Sequence, residues 1–141
     1  MSIILFDGEV SETSEALGEV LPTVKVSHLF RSAYALQLIC NVRVRRGTAP
    51  SLDVAVQAMI GDYWYNLARF SRYETQTGLK VITVKRDYVV TASVAPTGSP
   101  SVSTGELLQG QLWDDTLRVS YDLGGTSPIF VFSVTAVPLN W

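Results

Sequence analysis

The sequence predicts an all-β, single-domain protein, folded as an antiparallel β-sandwich or a jelly-roll-like barrel of about seven to nine strands. Apolar and polar residues alternate with a period of two along several segments, which is typical of strands with one buried face. Turn signals rich in glycine and proline separate these segments at short intervals, and no long helical pattern occurs. The 141 residues suffice for one domain with a two-layer core.

The first 22 residues differ in charge from the rest of the chain. They contain no Lys or Arg and have a formal charge of −5, from Asp7, Glu9, Glu12, Glu15 and Glu19. Residues 23–141 carry all 11 basic residues and eight acidic ones, a charge of +3. We therefore divide the chain into an acidic N-terminal segment, 1–22, and a β-sandwich domain, 23–141. The segment is either an ordinary first strand followed by a solvated loop, or an arm that reaches onto a more basic neighbouring subunit.

The middle of the chain is predicted to form four strands. The first covers 23–30 and carries His28 on the same face as Val24 and Val26. Strands over 36–45 and 52–58 are joined by a turn at 46–50, where Gly tolerates positive φ and Pro ends the pairing. Gly61-Asp62 is a two-residue hairpin signal that leads into a return strand over 63–70.

The rest of the chain is predicted to form two further strands, a long loop and a closing hairpin that repeats the central design. Strands are predicted over 79–86 and 87–94, followed by a long loop of Pro, Gly, Ser and Thr over 95–105. The chain then closes with a hairpin whose strands cover 117–123 and 129–137. Its turn contains Gly-Thr-Ser-Pro at 125–128, close to the Gly-Thr-Ala-Pro at 47–50. We interpret this likeness as the same connection used twice.

Catalytic and metal-binding residue types are scarce. His28 is the only histidine, and we interpret it as a core or interface residue rather than a general base. Cys40, the only cysteine, lies on the inward face of its strand and fits a small core residue in a reducing compartment. Asp114 and Asp115 are adjacent, so on a strand they would point to opposite faces. We therefore predict no enzymatic activity and no cofactor or metal.

The candidate binding residues are charged and aromatic. Arg43, Arg45 and Arg46 form a basic end to the central strand, which either protects a sheet edge or contacts an acidic partner such as the 1–22 segment of another copy. A charge of +3 is too small to indicate nucleic-acid binding, and no apolar run is long enough to span a membrane. Trp64 is expected in the core, and one of Trp113 and Trp141 is expected to contact a partner.

Two stretches resemble small virion proteins of tailed bacteriophages. The first runs from Gly47 to Gln57 and continues through Gly61–Leu67 to Phe70. The second runs from Leu117-Arg118-Val119 through Gly124–Val134. Together the resemblance covers roughly residues 35–70 and 115–137, about two fifths of the chain, and its motifs are turns between strands.

This resemblance implies a head decoration (cement) protein. Such proteins assemble, often as homotrimers, over junctions of the capsid lattice and stabilise the shell without catalysis. It implies the major capsid protein and further copies of the chain as partners, no nucleic acid or membrane, synthesis in the host cytoplasm and a final position on the capsid surface. The candidate partner contacts are Asp7, Glu9, Glu12, Glu15, Glu19, Arg43, Arg45, Arg46, Trp113 and Trp141. Two alternatives remain: a carbohydrate-binding β-sandwich that uses Tyr63, Tyr65 or Trp113, and a tail or head–tail connector subunit.

Overall fold

The computed structural model describes residues 2–11, 19–26, 28–60, 62–86, 107–111 and 113–139. These residues form one mixed sheet of eight strands and one short helix, which confirms the predicted all-β class. The elements are β1 (Ile3–Ser11), β2 (Glu19–Val20), β3 (Val24–Lys25), α1 (His28–Arg31), β4 (Ala35–Ile60), β5 (Tyr63–Arg69), β6 (Gly78–Arg86), β7 (Leu107–Gln111) and β8 (Thr116–Leu139). All the pairings are antiparallel except that of β6 with β7.

Two long strands organise the sheet. β4 has 26 residues and β8 has 24, and they pair with each other from Ala35 opposite Leu139 to Ala58 opposite Leu117. One end of this ladder carries β1 on β8 and β6 on β4, with β7 on the outer edge of β6, and we call this five-stranded part the broad half. The other end carries β5 on β4 and the short β2 and β3 on β8, and we call it the narrow half.

Both halves contribute to one hydrophobic core. On β4, Leu36 and Leu38 of the broad half and Val54 and Val56 of the narrow half belong to the same buried cluster. The β4–β8 register shifts between Val42 and Val44 and again on either side of Thr48, and such bulges bend a strand. The sheet therefore folds over at this corner, so that the apolar faces of its halves share one core.

The turns predicted at 46–50 and 124–128 do not reverse the chain. Both lie inside the continuous strands β4 and β8, and Thr48 is paired with Thr126. The predicted strand–turn–strand over 36–58 and the predicted closing hairpin are therefore wrong. The alternating segments are strands, as expected, but each pair continues through a corner. The short turn after Ile60 is confirmed as a hairpin, since Ile60 pairs with Tyr63.

The other differences between the predicted and the observed elements lie in the first 31 residues. The predicted strand over 23–30 is only β3, and His28 begins the helical turn α1 instead of lying on a strand. Within the acidic segment, residues 3–11 form β1, which pairs with β8 and buries Leu5 and Val10. The predicted strand over 87–94, the predicted loop over 95–105, Glu12, Glu15 and Trp141 lie outside the described residues.

Candidate functional site

The acidic and basic candidates meet within one chain. Asp7 of β1 forms an ion pair with Arg43 of β4, with both side chains nearly half exposed. Arg45 donates from Nε to the backbone oxygen of Glu74, while Glu9 and Arg46 are exposed. The sequence left open an ion contact between the acidic segment of one copy and the arginines of another. For Asp7, the structure shows such a contact within a single chain.

Trp113 is buried and not available to a partner. It is 2% exposed, and its Nε1 donates to the backbone oxygen of Phe30 at 2.6 Å. The guanidinium of Arg86 lies 4.1 Å from the centre of its ring and also donates to the Trp113 backbone oxygen at 3.0 Å. This placement corrects the prediction of Trp113 as a partner contact, and it removes Trp113 from the aromatic residues considered for sugar binding.

The broad half carries an uncharged outward surface across four strands. Ile4 of β1 is paired with Thr135 of β8, Thr135 with Ile39 of β4, and Ile39 with Val81 of β6. Directly paired residues point to the same side of a sheet, so these four side chains form one row. The row lies on the side opposite the core, because its strand neighbours such as Leu38 and Ile82 are buried.

The rows on either side extend this surface. Ser133, Asn41 and Leu79 form one adjacent row, and Val137, Gln37 and Thr83 form the other. We call the ten residues of these rows the neutral face: Ile4, Gln37, Ile39, Asn41, Leu79, Val81, Thr83, Ser133, Thr135 and Val137. None of the ten is charged, and the exposed fractions of Ile4, Leu79 and Val81 are 60%, 67% and 44%.

The charges near the neutral face lie at its border. Asp7 continues the row of Ser133, Asn41 and Leu79, where it pairs with Arg43, and Lys85 lies opposite Ala35 at the other end. A sheet surface with an apolar centre and a charged border has the anatomy of a protein–protein interface. A signal for this face exists in the sequence, because Ile39, Leu79 and Val81 are apolar at positions where the alternation calls for polar residues.

The narrow half carries a different, charged surface. Asp53 and Asp122 are paired across β4 and β8, and Asp53 is only 6% exposed. Arg69 donates to one oxygen of Asp53 at 2.9 Å, and Arg72 donates to both oxygens at 2.9–3.3 Å. Burial and the facing Asp53 raise the pKa of Asp122, while the hydrogen bond and charge of Asp53 raise the pKa of Arg72.

A surface depression lies next to this cluster at the corner. Its volume is about 380 Å³, and it is lined by Arg45, Ala49, Pro50, Ser51, Arg72, Glu74 and Thr75. Both arginines that line it are engaged, Arg72 by Asp53 and Arg45 by the Glu74 backbone oxygen. The two cations of the depression are therefore already held by contacts within the chain.

The remaining carboxylates do not converge. Asp114 pairs with Arg31 at 2.7 Å and Asp115 with Lys25 at 3.6 Å, so the two neighbours are held by different cations. Within the described ranges, no three His, Cys, Asp or Glu side chains are grouped so that they would hold a metal ion. Over the same ranges, no helix is long and apolar enough to cross a membrane.

Comparison with known proteins gave no match: neither a family model, nor a curated protein, nor a solved structure matches the chain.

Proposed function

We propose that this chain is a non-enzymatic structural protein of a bacteriophage virion, a capsid decoration protein that binds the assembled head and stabilises it. In this role it is made in the host cytoplasm, assembles as a homotrimer and contacts the major capsid protein on the capsid surface, without a cofactor. The observation that supports the proposal most is the neutral face, an uncharged surface four strands wide. Such a surface suits adhesion to another protein better than it suits catalysis.

The size of the neutral face is consistent with the centre of an interface. Four strands about 4.8 Å apart, with three rows of outward side chains, cover roughly 300 Å². A standard interface buries about 800 Å² on each partner, usually with an apolar centre and a polar rim. Asp7, Arg43 and Lys85 lie where that rim would be. Two of them, Asp7 and Arg43, are among the partner contacts predicted from the sequence.

Stabilisation would follow from mass action. A protein that binds the assembled shell but not its free subunits lowers the free energy of the shell. The effect grows with the concentration of the protein and with its affinity for the shell. A trimer on a symmetric lattice makes several such contacts at once, so each of them can be weak.

The first experiment tests self-association and shell binding with point variants. We expect the wild-type chain to scatter light as a trimer and to sediment with assembled heads of the virus that encodes it, after those heads have been stripped of the chain. Leu79→Lys combined with Val81→Lys places two charges on the neutral face and should abolish sedimentation with the heads. Tyr63→Lys is the matched control, because Tyr63 is 66% exposed on β5, away from this face.

Two results would contradict the proposal. One is a wild-type chain that does not sediment with heads at any concentration, and the other is shell binding that survives both charges on the neutral face. Assembly into rings instead of trimers would favour the connector alternative. Deletion of 1–22 is a poor test, since it would remove β1 and its buried Leu5 and Val10.

A further inference from the structure

Opposite charges lie on the two sides of β8 in the broad half, next to the corner. β1 is the last strand of the sheet on one side, and it carries Asp7 and Glu9 there. On the other side of β8, β4 carries Arg43 and Arg46. We call Asp7 and Glu9 the acidic edge, and Arg43 and Arg46 the basic edge. The strands that carry the two edges lie about 10 Å apart, because β8 runs between them.

Both edges lie at lateral limits of the described sheet. Within the ranges that the structure describes, no strand pairs with the outer side of β1. β6 accompanies β4 only as far as Val42, so the stretch 43–46 has no described strand on the side away from β8. The loop before β6 approaches this stretch at Arg45, which donates to the backbone oxygen of Glu74. The charged side chains of both edges are therefore accessible to a neighbour that approaches from the side.

One charge of each edge has no partner in its own chain. Asp7 and Arg43 form an ion pair with each other. Glu9 and Arg46 are exposed, and neither forms an ion pair or a side-chain hydrogen bond with another described residue. Glu9 is paired with Val131 of β8 and Arg46 with Ile129, so the two free charges differ by only one pair of outward residues along the strands.

This arrangement favours contact between unlike edges. Two copies that met through their acidic edges, or through their basic edges, would bring like charges together, which is unfavourable. The acidic edge of one copy against the basic edge of the next brings opposite charges together at the same level of the sheet. Each copy then has one neighbour on either side, and such head-to-tail contacts close into a ring where the rotation between copies permits.

We propose that copies of this chain associate side by side, with Glu9 of one copy facing Arg46 of the next. The inference rests on the proposed function for the number of copies, three, and adds the two surfaces through which they meet. A lateral contact of this kind leaves the outward neutral face uncovered, so the same copies remain able to bind a shell through it.

The test reverses the free charges one at a time. Light scattering over a range of concentrations measures the assembly of the wild-type chain, Glu9→Arg and Arg46→Glu. We expect each reversal to raise the concentration needed for half-assembly by about tenfold or more, because every contact in the ring then holds two like charges. Asp62→Arg is the control for Glu9→Arg, since Asp62 is an exposed turn residue of the narrow half and the change in charge is the same. It should assemble as the wild type does.

Two rescue measurements show whether the two residues meet between copies. The double variant Glu9→Arg with Arg46→Glu has the wild-type net charge and opposite charges at each contact, so it should assemble again. An equimolar mixture of the two single variants should also assemble, because the unchanged Glu9 of one variant meets the unchanged Arg46 of the other, and the two reversed residues also attract each other.

The inference would be overturned by a wild-type chain that stays monomeric at every concentration. Single reversals that assemble like the wild type, or a double variant that assembles no better than the single ones, would also overturn it. Sedimentation of the wild-type chain with stripped heads is measured separately. A chain that assembles through these charges but does not bind heads contradicts the proposed function alone, whereas a chain that binds heads and assembles regardless of the reversals contradicts this inference alone.

Discussion

Gly47 packs against the backbone of residues 126–128, and Gly125 packs against the backbone of residues 48–49, at the corner where β4 and β8 bend together. A Cβ on Gly47 would lie 2.8 Å from the backbone oxygen of Ser127, and a Cβ on Gly125 would lie 2.5 Å from that of Ala49. The φ angles of the two glycines are 118° and 95°, and Ala49 and Ser127 have φ angles of 47° and 49°. Two Gly-Thr-x-Pro turns of the same shape therefore face each other, and each leaves room for the other.

Gly47→Ala and Gly125→Ala should each destabilise the fold strongly. Either substitution adds a methyl group within 3 Å of backbone atoms and places a side chain at a φ that disfavours it. We expect each to lower the free energy of unfolding by about 2–4 kcal/mol, measured in urea. Gly78→Ala is the control, since Gly78 has a φ of 102° but nothing within 4 Å of its Cβ position. Equal losses at Gly47 and Gly78 would show that the close approach is unimportant.

The corner explains what the sequence could and could not predict. Alternation located the segments of β4, β5, β6 and β8 correctly, because the side-chain period of a strand depends only on local geometry. Gly and Pro correctly marked both bends, but the same signals serve a reversal and a corner. Which one forms depends on the partner strand, and Thr48 meets Thr126 across 78 positions of sequence. No local pattern records that pairing.

The two surfaces show a similar limit. Alternation assigns Arg118 and Ser120 to the side of β8 away from the core, and the structure places them there. Both are nevertheless buried. The alternation could not predict this burial, because a period of two tells which side of the sheet a residue faces and not what covers that side. Trp113 belongs to a segment without periodicity, so its burial could be found only from its contacts with Phe30 and Arg86.

Asp53→Asn should cost more stability than the loss of an exposed ion pair. Asp53 is 6% exposed and accepts from Arg69 and Arg72, so the substitution leaves a partly buried guanidinium without its anion. We expect a loss of about 2–3 kcal/mol in the free energy of unfolding, less than for a fully buried pair because Arg72 is half exposed. Asp7→Asn, which breaks the half-exposed pair with Arg43, should cost at most about 1 kcal/mol. A comparison of the two urea midpoints at pH 7 checks the order.

Asp122→Asn should stabilise the protein at neutral pH and have little effect in acid. Burial and the facing Asp53 raise the pKa of Asp122 above its ordinary value of 3.8. An acid with a raised pKa in the folded state binds its proton more tightly there than when unfolded. Its favourable contribution is therefore present below the ordinary pKa and is lost as the pH rises through the folded pKa. Asparagine keeps the side chain neutral at every pH.

The measurement for Asp122 is the urea midpoint of the variant and of the wild-type chain between about pH 3 and pH 7. The midpoint of the variant should exceed that of the wild type at the upper end, and the two should converge at the lower end. Asp62→Asn, at an exposed turn position, is the control for the loss of one negative charge. A variant that is less stable than the wild type at pH 7 would mean that Asp122 makes a favourable charge interaction.

Arg86→Lys should loosen the contact between β6 and α1. Arg86 donates to the backbone oxygens of Ala33, Trp113 and Phe30 while its guanidinium stacks on the Trp113 ring. Lysine keeps the charge but lacks the planar fork that reaches several acceptors from a stacked position. We expect a loss of about 1–3 kcal/mol in the free energy of unfolding. Arg46→Lys should be neutral, and an equally neutral Arg86→Lys would show that charge alone accounts for the role of Arg86.

The Cys40 thiol should react with iodoacetamide only when the protein unfolds. Cys40 is fully buried in the broad half, and burial raises its pKa to about 12. Because the thiolate is the reactive species, alkylation of the native protein at about pH 8 should be roughly a thousandfold slower than in urea. The chain has one cysteine, so mass spectrometry reads this site without ambiguity. Comparable rates in buffer and in urea would mean that the broad half opens readily, and the neutral face carried on its other side would then not be a rigid surface for docking.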